Sequence, residues 1–94
     1  MNAMQSIVGI YKAKRGMRFD KEVAEALGMK EQTLNNYMKG RSKLPDMAIA
    51  QIAEGAHLDA MQVIAATNLT CIKTPEEERQ FWAKKLASYT GQIL

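Results

Sequence analysis

The stretch Asp20-Lys21-Glu22-Val23-Ala24-Glu25-Ala26-Leu27-Gly28-Met29-Lys30-Glu31-Gln32-Thr33-Leu34-Asn35-Asn36-Tyr37 decides the fold. Its first part sets Val23, Ala24 and Leu27 at helical spacing behind Asp20, a carboxylate suited to cap a helix start. Gly28 follows where that helix must stop, and a second helical pattern runs from Glu31 to about residue 39. So short a connection suits two helices crossing at a steep angle better than an antiparallel hairpin. Met29 and Leu34 then fill the angle, while Gln32, Thr33, Asn35 and Asn36 face outward.

On the amino-terminal side, residues 2–15 carry Met4, Ile7, Val8 and Tyr11 on one helical face, with Lys14 and Arg15 in the last turn and Gly16 at the end. On the other side, Gly40 stops the third helix. Arg41-Ser42-Lys43-Leu44-Pro45 then reads as an extended basic loop, because a residue before proline is biased away from helix. A fourth helix opens with Asp46 as cap and turns Ile49, Ile52, Ala53 and Ala56 inward. A fifth opens with Asp59 as cap and Gln62 three positions on, a variant capping box, and turns Met61, Ile64 and Ala65 inward.

Thr74-Pro75-Glu76-Glu77 places a capping hydroxyl before a proline at the first helical position, the strongest helix start in the chain. Acids 76–78 and bases Lys84 and Lys85 suit the two ends of that helix's dipole. Trp82, Leu86, Tyr89 and Ile93 recur along it as a narrow apolar stripe. The expected architecture is all-α: a five-helix bundle over residues 2–68, and an additional C-terminal helix within 74–94 that dimerises or packs in cis.

With 94 residues, 47% hydrophobic and 24% charged, the chain suits one small globular domain and excludes a large enzyme fold or a wholly disordered chain. Its net charge of +3 is unevenly placed. Residues 1–45 hold nine Lys or Arg against four acids, giving +5, and residues 46–94 hold four against six, giving −2. The first half is therefore the part suited to a polyanion. One cysteine, Cys71, cannot build a disulfide framework, and no Cys/His cluster has zinc spacing. No uncharged apolar run approaches the roughly 18 residues of a membrane span, and no basic stretch precedes an apolar segment at the start, so a cytoplasmic protein is expected.

Residues 20–37, together with Gly40-Arg41 and Leu44-Pro45, resemble the helix-turn-helix of the phage repressor and Cro family. The resemblance spans about residues 4–66 and is carried by Ala24, Gly28, Leu34, the aromatic Tyr37, Gly40 and Pro45. It implies a lambda-repressor-like bundle and a transcriptional regulator, a phage or prophage repressor that binds a palindromic operator in double-stranded DNA as a homodimer. No cofactor is implied. Lys30 departs from the family, which usually has a small hydroxyl residue there, so a capping bond of about 1 kcal/mol is missing. Beyond residue 70 the resemblance fades.

The residue chemistry agrees independently with DNA as partner. Gln32 and Asn36, at i and i+4, each carry an amide able to make two hydrogen bonds to an adenine edge, and Thr33 can touch a thymine methyl. Asn35 suits a base or a phosphate. Glu31 can accept from cytosine N4, although a carboxylate at a helix start is also stabilised by the dipole alone. These five are the candidate base readers, and their plainer reading is an ordinary solvated helix face. Lys21, Lys30, Lys39, Arg41 and Lys43 are the candidate phosphate contacts, assisted by free backbone N–H groups at the start of the second helix. Trp82, Leu86, Tyr89 and Ile93 are the candidate dimerisation residues. A rival reading is a protein-interaction module, such as an antitoxin or antirepressor, that docks a partner through the C-terminal helix.

His57 reads as a surface histidine, Cys71 as a buried thiol, and Met29, Met47 and Met61 as core packing. There is no nucleophile with a base, no paired carboxylates in a plausible cleft, no phosphate loop and no metal cluster, so neither an enzyme nor a metal site is expected.

Overall fold

The computed structural model describes residues 1–89; Ile93 lies outside them. Among the described residues there are six helices and no strand: α1 Ala3–Arg15, α2 Asp20–Ala26, α3 Glu31–Met38, α4 Asp46–Ala56, α5 Ala60–Thr70 and α6 Glu76–Ala87. The opening of α1 follows from two side chains. Asn2 Oδ1 accepts from the Gln5 N–H at 2.9 Å, and Gln5 Oε1 accepts from the Asn2 N–H at 3.0 Å, a reciprocal capping box. Behind it Met4, Ile7, Val8 and Tyr11 are all buried, as their spacing predicts. They meet α4 and α5, which supply Ile49, Ile52, Ala53, Ala56, Val63 and Ala66. The α2–α3 unit joins this core through Val23, Ala24, Leu27, Leu34 and Met38, and α6 lies against α5.

Several expected details differ. Asp20 and Asp46 are first helical residues and not caps; the capping positions belong to Phe19 and Pro45, which offer no side-chain acceptor. Asp20 instead pairs with Lys12 Nζ at 2.8 Å and ties α1 to the start of α2. Met47 and Met61 are 71% and 37% exposed, while Met4 and Met38 occupy the core. On α5 the Asp59–Gln62 box forms as expected, but Gln62, Val63, Ala66 and Thr67 join Ala65 in burial, and Ile64 is only half-buried. This helix lies between the α1–α4 layer and α6, so it is covered on more than one side. At α6, Pro75 takes the capping position; Thr74 is buried, and its hydroxyl does not cap the helix.

Glu22 supplies half of a capping box at α2. Its Oε1 accepts from the N–H groups of Arg18 and Phe19, both at 3.0 Å, and these bonds hold its carboxyl below the ordinary value of 4.5. A lowered folded value means that the ionised form stabilises the fold above the unfolded pKa and that this contribution fades as pH falls through the folded one. Glu22→Gln is therefore expected to flatten the acid limb of a stability-versus-pH curve from urea melts, leaving neutral-pH cooperativity intact. An unchanged acid limb would assign that limb to other carboxylates.

Candidate nucleic-acid interface

Helix α3 is short, and its position is fixed mostly from outside. Leu34 and Met38 anchor it in the core. Asn2 Nδ2 donates to the Met38 carbonyl at 2.7 Å, and the Ile72 N–H donates to the Gly40 carbonyl at 2.9 Å. The Leu44 N–H donates to Thr67 Oγ1 at 3.0 Å and seats the buried Leu44 side chain beneath the basic loop. The end of α3 and the loop after it are thus held by both termini of the bundle.

Asn2 therefore acts twice, as cap of α1 and as donor to α3. Asn2→Ala is expected to cost about 2 kcal/mol, combining a lost cap with an unpaired carbonyl. Asn2→Asp keeps the capping acceptor but loses the donor, so urea denaturation of the two variants separates the terms. Equal stability of Asn2→Asp and wild type would remove the tie to Met38.

Helices α2 and α3 end in the same way. At the end of α2, the Met29 N–H donates to the Ala24 carbonyl and the Gly28 N–H to that of Glu25. At the end of α3, Arg41 N–H donates to Asn36 O and Gly40 N–H to Tyr37 O. These are Schellman closures around left-handed glycines, with φ of 69° at Gly28 and 78° at Gly40.

The second closure has a consequence that spacing alone does not reveal. It folds Arg41 back over the last turn, where Nη1 donates to Asn36 Oδ1 at 3.0 Å. Gln32 Nε2 donates to the same oxygen at 3.3 Å. Two expected base readers and an expected phosphate contact thus form one polar row at the surface, joined through the shared oxygen of Asn36. Glu31 and Gln32 are exposed; Thr33, Asn35 and Asn36 are half-buried on the same helix.

Lys21, Lys30, Lys39, Arg41 and Lys43 are all exposed, and Lys30 holds the capping position of α3 without a side-chain cap bond. At the start of α2 the Glu22 carboxylate takes the N–H groups of Arg18 and Phe19, just before the helix, and Asp20 is paired with Lys12. Asp20, Glu31, Gln32, Asn35 and Met38 line a polar cleft of about 330 Å³ at the α2–α3 junction. The face therefore runs from an acidic end, through amides, to a cationic loop.

In the tail, Trp82, Leu86 and Tyr89 are half-buried. Arg79 is the residue that sequence reasoning missed. Its guanidinium donates to the carbonyls of Leu69 at 2.5 Å, Cys71 at 2.9 Å and Thr74 at 3.3 Å, so it gathers the turn between α5 and α6. His57 is exposed and ends α4 in a left-handed conformation, and Cys71 is buried and free. Among the described residues no helix is long and apolar enough to cross a membrane. No family model matches this chain, and neither a curated protein nor a solved structure matches it.

Proposed function

We propose that this chain is a sequence-specific double-stranded DNA-binding transcriptional regulator with a lambda-repressor-like arrangement of α1–α5, a phage or prophage repressor of the Cro type acting in the bacterial cytoplasm. The observation that carries the reading is the joined row Gln32–Asn36–Arg41 on a clamped helix, flanked by exposed Lys30, Lys39 and Lys43. An α-helix fits the major groove, where amides and guanidinium groups discriminate base edges. Lysines on the loop beside it meet phosphates, which set register without reading sequence. Two copies on a two-fold site place their α3 helices about 34 Å apart on a palindromic operator.

Selection from a random duplex pool tests this directly, and a palindrome is the expected result. With Lys30, Lys39, Arg41 and Lys43 each neutralising a phosphate in both copies, log affinity against log salt has a slope of about −7. Gln32→Ala and Asn36→Ala are each expected to lose about 1–3 kcal/mol of discrimination. Lys43→Ala lowers affinity for all sequences alike, whereas Arg41→Ala also changes preference at the base that Asn36 meets. Absence of any selected sequence together with a slope near zero rejects the proposal.

A further inference from the structure

Helix α6 has two aromatic faces. Arg79, Trp82 and Leu86, at helical spacing, are half-buried where α6 meets α5. Phe81 belongs to another face and is 56% exposed, its ring held edge-on against Trp82 with centroids 5.0 Å apart. Phe81 also stands at the middle of the helix. Glu77 and Glu78 precede it by four and three residues, and Lys84 and Lys85 follow it by three and four. Residues at those separations share the Phe81 face. Among the described residues none of these four charges has an ion-pair partner within the chain. Phe81, Lys84, Lys85 and Ser88 line an apolar groove of about 280 Å³ on this face.

We propose that the Phe81 face of α6 is the surface through which two copies of this chain associate, antiparallel about a two-fold axis at Phe81. The order of charges selects the occupant. Reversed about Phe81, acids meet bases along each flank: Glu77 faces the partner's Lys84, and Glu78 faces the partner's Lys85, giving four pairs around two adjacent rings. Parallel pairing sets like charges together. A two-fold contact needs such a self-complementary patch. A helix of this length spans about 18 Å and covers roughly half of the ~800 Å² per partner of a standard interface, so association is weak and concentration-dependent.

The proposal shares only the existence of a dimer with the DNA reading, and its test contains no DNA, so either can fail alone. Sedimentation equilibrium of the full chain is expected to show a mass rising from monomer toward dimer across a concentration series. Phe81→Ser removes the association. Glu77→Lys/Glu78→Lys and Lys84→Glu/Lys85→Glu, checked for folding by circular dichroism, each weaken self-association by at least about tenfold, because four attractive pairs become repulsive. Mixed together they regain it as a heterodimer, since the all-basic face then meets the all-acidic one. A wild type that stays monomeric, variants that self-associate like wild type, or a mixture that stays monomeric overturns the proposal.

Discussion

Gly40→Ala is expected to lower stability by roughly 4 kcal/mol, of which the left-handed backbone accounts for about 1–2 and the forced displacement for the rest. A Cβ built on Gly40 runs into the Thr70 carbonyl oxygen, a backbone atom at the end of α5. That carbonyl cannot step aside cheaply, because Thr70 also receives the Met4 N–H on its hydroxyl. Gly40 is moreover tied to Ile72 through its own carbonyl. Gly28 provides the control. It has nearly the same φ, but a Cβ there meets nothing within 4 Å, so Gly28→Ala bears the backbone strain alone. Since 1 kcal/mol shifts Tm by about 4–8 °C in a domain of this size, the two variants are expected to differ by about 8 °C or more. Equal Tm values would reduce Gly40 to an ordinary helix-ending glycine and remove the close approach of α3 to α5. If the proposed DNA reading holds, Gly40→Ala also loses operator preference more than overall affinity, because Asn36 and Arg41 are placed by this turn.

That contrast shows what the sequence could express. The α1 face was legible because Met4, Ile7, Val8 and Tyr11 recur with the helical period on an otherwise polar segment. The α2–turn–α3 unit was legible for the same reason, with a glycine at each stop. On α5 the pattern fails: Met61, Val63, Ile64, Ala65 and Ala66 surround the helix, and periodicity cannot say which of them faces α1 when α6 covers another side. Asp20 and Asp46 misled by one residue, since a carboxylate is stabilised both at a cap and in the first turn. In the candidate site, the amide row was readable from i, i+4 spacing. The contact of Arg41 with Asn36 was not, because it depends on the left-handed turn at Gly40 reversing the chain. The tail held a similar ambiguity. Phe81 and Trp82 are neighbours in sequence, and only packing against α5 determines which ring is left outside.

Arg79→Ala is expected to release α6 from the bundle while α1–α5 stay folded. No residue of α6 is fully buried, so its hold on α5 has little hydrophobic surface behind it. The guanidinium compensates by reaching the carbonyls of Leu69, Cys71 and Thr74 together, and its Nε lies 3.8 Å from Glu76 Oε2. Charge-assisted bonds of this kind contribute about 1.5–3 kcal/mol each. With the side chain 31% exposed, roughly 3 kcal/mol for the whole latch is the reasonable expectation. Arg79→Lys is expected to fail nearly as badly, because one ammonium cannot match a planar fork directed at several acceptors. Trp82 is the sole tryptophan, so its emission reports on α6 alone. A red-shifted Trp82, early proteolytic cleavage after residue 72 and a nearly unchanged melt of the remaining helices are the expected results. The same variant should lose the self-association assigned to Phe81, since α6 must be docked to present that ring at a fixed angle. A variant that melts as one destabilised unit would instead make α6 part of the cooperative core, and its half-buried face would then contribute more than its exposure suggests.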